Sequence, residues 1–346
     1  MKNILIIRPS AIGDIVMASP MIRVLRRHYP DARLAWLVEP PSVDLLRSNT
    51  SLDEFIIWNK KEWRELLQKR RFLILRREIS GFARQLKEKN FDLAIDAQGL
   101  LRSRWLAWLS GARERVGFES KEPGRFLMTR LTSKGDHTGI MGSEYKHMMR
   151  VLGLDPGDFH PEIVLSADDE DSAHEILGNL KNLARFAAFA PFTTRPQKHW
   201  LEDRWAELAE LIYENLGLPS VLLGGKNDYE NALSIKQAAQ VPVYNLAGMT
   251  SLGQSAAIIK ASSLLIGVDT GLTHMGAAFD CSTVALFGAT CPYLSTAGQK
   301  TVVIYNPMKC SPCRRSPVCS GDFSCMKSIE AGHVLKEAVK LVGHNN

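Results

Sequence analysis

Short runs of β-branched and aliphatic residues alternate with longer segments of helical periodicity along the whole of this chain. A strand, a helix and a second strand in this order form a βαβ unit, whose two strands lie parallel. The sequence therefore predicts an α/β fold. Its 346 residues favour two domains, at roughly 100–200 residues per domain.

Ten strands are predicted, five in each half of the chain. They lie near Ile4–Arg8, Arg33–Val38, Glu54–Ile57, Asp92–Asp96, Arg113–Gly117, Phe186–Ala190, Val221–Gly224, Val241–Asn245, Leu264–Asp269 and Thr283–Phe287. Between the halves, Gly153–Asp171 is rich in turn-forming residues and then in acids, which predicts a hinge. We therefore predict two Rossmann-like domains, residues 1–160 and 161–346.

Composition and charge narrow the class of protein. With 45% hydrophobic and 23% charged residues the chain resembles ordinary folded proteins, and no stretch approaches the roughly 18 apolar residues of a membrane span. The opening apolar run is broken at Arg8 and Asp14, too early for a signal peptide, so a cytoplasmic location is expected. The net charge of +6 favours an anionic partner, and nucleic acid, phosphorylated lipid and anionic sugar all fit.

The loop after the first predicted strand leads into a helix with Asp14 in its first turn. Open α/β sheets bind ligands at the carboxyl ends of their strands, where Asp14 would project its carboxylate. The alternative is an ordinary first-turn acid that complements the helix dipole. The segment Ser10–Gly13 supplies one glycine instead of GxGxxG, which counts against an NAD-dependent oxidoreductase.

Two loops in the second half have the composition of an anion site. Asp269, Thr270 and Gly271 separate an apolar strand from a helix, whose N-terminal amides suit a phosphate, and His274 follows within that helix. Asp269 itself suits neutral sugar hydroxyls better than a phosphate. In PFTTRPQKHW, two hydroxyls and two cations follow a strand, as at a pyrophosphate site; these are Thr193, Thr194, Arg195 and Lys198. Simple helix capping, a core-facing His274 and a basic surface loop are the alternatives.

Two further segments carry unusual residues. Trp58–Glu78 holds eight basic residues together with aromatic and aliphatic ones, which is typical of a segment that binds an anionic surface or faces a membrane, and otherwise of a solvated helix. CSPCRRSPVCSGDFSC begins as a C-x2-C metal or redox site does. Its later spacings fit no zinc family, so reduced thiols in a C-terminal loop are favoured over a structural zinc or iron–sulfur site.

Five motifs together resemble glycosyltransferase family 9, the ADP-heptose heptosyltransferases of the lipopolysaccharide inner core. They are SAIGDIVMASP, DAQGL, TTRPQKHW, VDTGLTH and LFGATCP, and they occur in the family's order across nearly the whole chain. The DAQG, KHW and VDTG forms are most similar to the members that add the first heptose to Kdo-lipid A.

The resemblance implies a GT-B fold, with two Rossmann-like domains facing a central cleft and the last helix packing back on the first domain. It implies that Asp14 is the general base and that no metal or other cofactor is needed. The donor site it implies comprises Thr193, Thr194, Lys198, Glu230, Met249, Asp269, Thr270, Gly271 and His274. On the acceptor side we expect Lys60, Lys61, Arg64, Gln98 and Arg102.

The activity implied is inverting transfer of heptose from ADP-heptose to Kdo-lipid A, at the cytoplasmic face of the inner membrane. A family member that uses another acceptor, such as a second or later heptose, or another nucleotide-sugar is the alternative. A non-catalytic protein that docks on anionic lipid through Lys60–Arg77 is a second alternative. A nucleic-acid-binding protein is disfavoured, because no recognisable DNA- or RNA-binding motif is present.

Overall fold

The computed structural model describes residues 1–136, 139–180, 183–290, 292–293, 295–296, 298, 300–313 and 316–343. The chain divides into two compact units, the first ending at Val164 and the second beginning at Leu165. A short segment that includes Gly139–Met141 also belongs to the second unit. The division lies inside the predicted hinge, a few residues after the predicted boundary.

The first unit is a six-stranded parallel sheet with helices. Its strands are β1 (Asn3–Ile7), β2 (Arg33–Val38), β3 (Glu54–Ile57), β4 (Leu93–Asp96), β5 (Glu114–Phe118) and β6 (Arg130–Thr132). Its helices are α1 (Ile12–Ala18), α2 (Pro20–His28), α3 (Lys60–Gln68), α4 (Phe72–Glu88), α5 (Leu101–Leu109) and α6 (Ser143–Val151).

The second unit repeats this architecture. Its strands are β7 (Ala187–Ala190), β8 (Ser220–Leu222), β9 (Val243–Asn245), β10 (Leu264–Val268), β11 (Thr283–Phe287) and β12 (Thr301–Tyr305). Its helices are α7 (Ala167–Asn179), α8 (Glu202–Leu216), α9 (Tyr229–Ala238), α10 (Leu252–Ala261), α11 (Gly271–Ala278), α12 (Ser324–Lys327) and α13 (Ala331–Gly343). The final helix, α13, packs against α8 of its own unit.

The two sheets have the same strand order. The first runs β3-β2-β1-β4-β5-β6, and the second runs β9-β8-β7-β10-β11-β12 when it is followed from its other edge. This is the Rossmann order, in which the chain leaves the first strand of the sheet towards one edge and returns to build the other. The α/β prediction is confirmed. The point where the order reverses lies between β1 and β4 in the first sheet and between β7 and β10 in the second.

Burial on both faces explains why the strands are so apolar. Parallel sheets are covered by helices on each side, so their strands are nearly continuous hydrophobic runs. Each of the five residues of β10 is buried, as is each of the five of β11. The sequence predicts ten of the twelve strands in the described part of the chain; the two that it misses, β6 and β12, are edge strands. TVVIY of β12 does carry a β-branched signal, whereas β6 has only three residues.

No helix among the described residues is long and apolar enough to span a bilayer.

Gly267 allows α11 to lie close to β10. A Cβ at this position would stand 2.1 Å from the hydroxyl oxygen of Thr273 and 2.9 Å from the Cβ of Ala190. The Thr273 hydroxyl donates a hydrogen bond of 2.6 Å to the carbonyl of Val268, which fixes the first turn of α11 against the end of the strand. The turn that carries Asp269–Gly271 is therefore positioned by the absence of a side chain inside β10.

Gly267→Ala is expected to lower the free energy of unfolding by about 1–3 kcal/mol, because the added methyl group overpacks a buried contact. Urea denaturation measures the loss. Gly332→Ala is the control, since Gly332 lies in α13 and a Cβ added there would meet no heavy atom within 4 Å. Equal stability of the two variants would contradict this account of the close approach.

Candidate active site

Hydrogen bonds connect four loops at the carboxyl edge of the first sheet. The Lys60 ammonium, after β3, lies 3.0 Å from a carboxylate oxygen of Glu39, which follows β2. Ser10, after β1, donates to the same oxygen at 3.0 Å. The Gln98 amide, after β4, donates to the Ser10 carbonyl at 3.0 Å. Two predicted acceptor residues, Lys60 and Gln98, are thereby linked to the loop that leads to Asp14.

Asp14 forms an ion pair with Arg8 at the end of β1. The same carboxylate oxygen accepts a hydrogen bond of 3.3 Å from the backbone N–H of Ala11, and the side chain is 35% exposed. Arg8 is buried; its guanidinium donates to the Ala97 carbonyl at 3.0 Å and lies 5.9 Å from the ring centre of Tyr145. The buried arginine thus holds a partly exposed carboxylate at the reversal point of the sheet.

Asp96 fixes the turn that carries Gln98. Its carboxylate is buried and accepts hydrogen bonds from the backbone N–H groups of Gln98 and Gly99, at 2.9 and 3.0 Å. Burial raises the pKa of Asp96, and the two N–H donors offset part of that rise. The acid of the DAQGL motif, Asp96, therefore stabilises the turn itself. The residue of this motif that lies beside the loop after β1 is Gln98.

The predicted donor residues follow four adjacent strands of the second sheet, β10, β7, β8 and β9. Thr193, Thr194 and Lys198 follow β7, and Glu230 and Met249 follow β8 and β9. Asp269, Thr270, Gly271 and His274 come after β10. Neighbouring strands are about 4.8 Å apart, so these positions extend over roughly 14 Å of one sheet edge. Such a row suits an extended ligand whose phosphates lie at the reversal point between β7 and β10.

Asp269 is the centre of a charged cluster at that reversal point. One carboxylate oxygen lies 2.5 Å from the Lys198 ammonium and also accepts a hydrogen bond from the Thr290 hydroxyl. The other lies 3.2 Å from Nε2 of His274, whose Nδ1 is 3.0 Å from the Tyr293 hydroxyl oxygen. Both oxygens of Asp269 thus have partners within the second unit. Its assignment as a sugar contact stays a prediction, and in this structure it holds Lys198.

The cluster changes the acidity of its members. Burial alone would raise the pKa of Asp269, but His274 and Lys198 lower it well below its ordinary value. Burial, together with the nearby charge of Asp269, raises the pKa of Tyr293 far above its usual range. Asp269 is therefore ionised and Tyr293 neutral across the physiological pH range.

The other predicted donor residues are more accessible. Thr193, Thr270 and Gly271 are half-buried, whereas Thr194, Glu230 and Met249 are exposed, Met249 by 62%. His274 is buried, so it lies behind Asp269 rather than on the surface of the edge. On the acceptor side, Lys61, Arg64 and Arg102 are exposed.

Several residues of the two edges were missed by sequence reasoning. In the first unit these are Arg8, Glu39 and Tyr145, and in the second they are Thr290 and Tyr293. Thr290 lies within the LFGATCP motif, and Arg8 is the last residue of the first predicted strand, two residues before SAIGDIVMASP, so both positions did carry a signal. Tyr145 lies on α6, far along the chain from β1, and nothing local indicates its contact with Arg8.

The cysteines of the described residues are free thiols, namely Cys281, Cys310, Cys313, Cys319 and Cys325. Within the described part of the chain, no group of three or more His, Cys, Asp or Glu side chains is arranged to hold a metal ion. Burial raises the pKa of the Cys325 thiol, with Cys313 and Cys310 contributing, so these three lie near one another.

Comparisons with known proteins agree with the resemblance drawn from the motifs. Residues 79–321 match the family model described as glycosyltransferase family 9 (heptosyltransferase). Lipopolysaccharide heptosyltransferase 1 of Pseudomonas aeruginosa is 29% identical over 317 residues, which cover 90% of this chain and 86% of the relative.

Two solved structures share the fold. A family 9 glycosyltransferase from Veillonella parvula superposes with a TM-score of 0.81 at 21% identity, over 99% of this chain and 97% of its own. The structure of E. coli heptosyltransferase WaaC with ADP-2-deoxy-2-fluoro heptose superposes with a TM-score of 0.72 at 23% identity, over 99% of this chain and 100% of its own. The predicted GT-B class, with two Rossmann-like units, is confirmed by these matches.

Asp269→Asn is expected to lower the free energy of unfolding by about 3 kcal/mol at pH 7, because it leaves the half-buried Lys198 without its counter-ion. The lowered pKa of Asp269 means that its stabilising effect is full above the unfolded-state pKa, about 3.9, and is lost as the pH falls below it. The difference between parent and variant should therefore shrink below about pH 4.

Urea denaturation at a series of pH values measures this difference, with the exposed Asp31→Asn as the control. A difference that stays constant from pH 7 to pH 3 would assign the loss to packing rather than to charge.

Proposed function

This chain belongs to glycosyltransferase family 9, and on that premise we propose that it transfers heptose from ADP-heptose to the Kdo-lipid A inner core of lipopolysaccharide. The observation that carries the proposal is the row of donor-type residues along the edge of the second sheet, with Lys198 at its reversal point. The named relatives, which are lipopolysaccharide heptosyltransferases, support the same sugar and the same class of acceptor.

The donor lies along that row in the proposal. Its diphosphate sits at the reversal point, where Lys198 and the amino end of α11 supply positive charge. Glu230 takes the ribose hydroxyls as an acceptor of hydrogen bonds, and the exposed Met249 covers the adenine. Asp269 orients Lys198, since its carboxylate is already paired with that ammonium.

The acceptor is held by the first unit. Kdo carries carboxylates and lipid A carries phosphates, so exposed cations suit this substrate; Lys60, Lys61, Arg64 and Arg102 are the candidates. Gln98 adds a neutral hydrogen-bonding group beside the loop of Asp14. Because the acceptor is anchored in a bilayer, the protein works as a peripheral protein on the cytoplasmic face of the inner membrane.

Transfer proceeds by a single displacement with inversion. The acceptor hydroxyl oxygen forms a bond to C1 of the heptose while the bond from C1 to the diphosphate oxygen breaks and ADP departs with the electron pair. The hydroxyl proton passes to the carboxylate of Asp14, which acts as general base. Arg8 orients that carboxylate through their ion pair, and Lys198 meets the charge that develops on ADP.

The proposal is tested by a transfer assay with ADP-heptose against Kdo-lipid A and against heptosylated Kdo-lipid A. We expect release of ADP with the first acceptor and none with the second. Transfer only to the heptosylated acceptor would show that the protein adds a later heptose and not the first one. Release of ADP with neither would contradict heptose transfer to these acceptors, and binding of Kdo-lipid A without ADP release would favour a non-catalytic protein.

Asp14→Asn is expected to lower kcat by at least about 10²-fold, because the amide cannot take the hydroxyl proton in the transition state. Binding of ADP to the second unit should be nearly unchanged, as measured by calorimetry. Asp31→Asn, an exposed acid of the same unit, should keep the parent kcat.

Lys198→Gln should affect binding where Asp14→Asn affects kcat: we expect weakened binding of ADP and a raised KM for ADP-heptose. If Asp14→Asn turns over like the parent, or if it loses ADP binding to the same extent as Lys198→Gln, Asp14 is not the general base.

A further inference from the structure

Helices α3 and α4 form a hairpin that buries almost none of its own residues. No residue of α3 is buried, and of the 17 residues of α4 only Leu86 is buried. A helix in a globular unit normally buries one apolar face. We call residues 66–77, the end of α3 with the turn and the start of α4, the hairpin tip.

The base of the hairpin is anchored by aromatic rings. The ring of Trp63 on α3 lies 5.4 Å from that of Phe82 on α4 and 6.1 Å from that of Trp105 on α5, both edge to face. Lys60, the first residue of α3, is joined to Glu39 at the sheet edge. The nine residues of α3 extend about 13 Å and separate the tip from this anchored base.

The tip exposes four large apolar side chains. Leu67, Phe72, Leu73 and Ile74 are 55%, 58%, 83% and 46% exposed. Single exposed apolar residues are ordinary on a protein surface, whereas several together at one end of a helical pair mark an interaction site.

The chain's net charge is concentrated on the same hairpin. Residues 60–77 contain eight basic and two acidic residues, and the whole chain contains 43 and 37, so 35 of each remain elsewhere. The tip itself has no acidic residue and five basic ones, Lys69, Arg70, Arg71, Arg76 and Arg77, all exposed. The entire excess of +6 therefore lies on this one hairpin.

An anionic bilayer fits both properties. Apolar side chains beside lysine and arginine are the composition of segments that lie at a membrane interface, where the apolar groups enter the acyl boundary and the cations meet lipid phosphates. A nucleic acid would use the cations but would leave Phe72, Leu73 and Ile74 without a partner.

We infer that the hairpin tip docks the protein on an anionic membrane, with Leu67, Phe72, Leu73 and Ile74 inserted and the tip cations on lipid phosphates. The inference rests on the proposed function in one respect, that the acceptor is lipid-linked. It divides the basic segment into two parts. Lys60, Lys61 and Arg64 at the base bind the acceptor, as proposed above, and the tip binds the surrounding lipid.

Vesicle co-sedimentation tests the docking surface with the full chain. The vesicles are phosphatidylcholine alone and an equal mixture of phosphatidylcholine and phosphatidylglycerol. Arg70→Gln/Arg71→Gln should weaken binding to the mixed vesicles about 25-fold, since each cation near an anionic surface contributes about fivefold. Phe72→Ser/Leu73→Ser should weaken it more than about tenfold, through lost apolar insertion.

Matched controls remove the same groups from the second unit. Lys236→Gln/Lys336→Gln removes two exposed cations, and Val318→Ser removes a side chain that is 75% exposed. Both should bind the mixed vesicles like the parent. If the control and tip variants lose vesicle binding equally, the loss reflects a general change of surface charge or polarity, which would contradict a specific docking surface.

Transfer to a soluble Kdo-containing acceptor without acyl chains separates docking from catalysis. The tip variants should match the parent on this acceptor and fall below it on Kdo-lipid A in mixed vesicles. If the parent transfers to no acceptor, the proposed function fails while the vesicle measurement still decides the docking. Tip variants that bind mixed vesicles like the parent would overturn the docking inference, whatever the transfer activity.

Discussion

The structure depends on one constraint, that a parallel sheet covered on both faces has room for polar chemistry only where its strands end. In both units the central strands β1, β4, β7 and β10 are largely apolar and buried, and the charged residues Arg8, Asp96 and Asp269 lie at or directly after the strand ends. Both sheets reverse their order between the first and fourth strands, which opens a gap between diverging loops. The motifs lie at those two points: Arg8–Asp14 and Asp96–Leu100 in one unit, Pro191–Trp200 and Asp269–His274 in the other.

Each reversal point contains a carboxylate paired with a buried or half-buried cation, and the two pairs differ in which partner is exposed. In the first unit the arginine is buried and the aspartate reaches solvent, so the group presented to a ligand is a carboxylate. In the second unit Asp269 is the more enclosed partner, surrounded by Lys198, Thr290 and His274. This difference accords with the proposed roles, a proton acceptor on one side and a binder of phosphate on the other.

The sequence alone predicts the α/β class, ten of the twelve strands among the residues that the structure describes, and the loops that carry the site, because strand ends and turn residues are local signals. It does not predict the partners of Asp269, since the Thr290 and Tyr293 contacts depend on the order in which the strands assemble. The contact of Arg8 with Tyr145 likewise joins segments far apart in the chain. The exposed state of the hairpin tip also required the structure, because the same residues would suit a buried amphipathic helix.

Holding Lys198 on Asp269 has a consequence for the protein before it meets a ligand. A lone ammonium at the end of a sheet would attract any small inorganic anion in its surroundings, whereas one already neutralised by an enclosed carboxylate presents little net field. Occupation then requires a ligand long enough to gain contacts from several neighbouring strand ends at once. With the proposed donor, this pairing would favour an extended nucleotide over free phosphate already in the resting state.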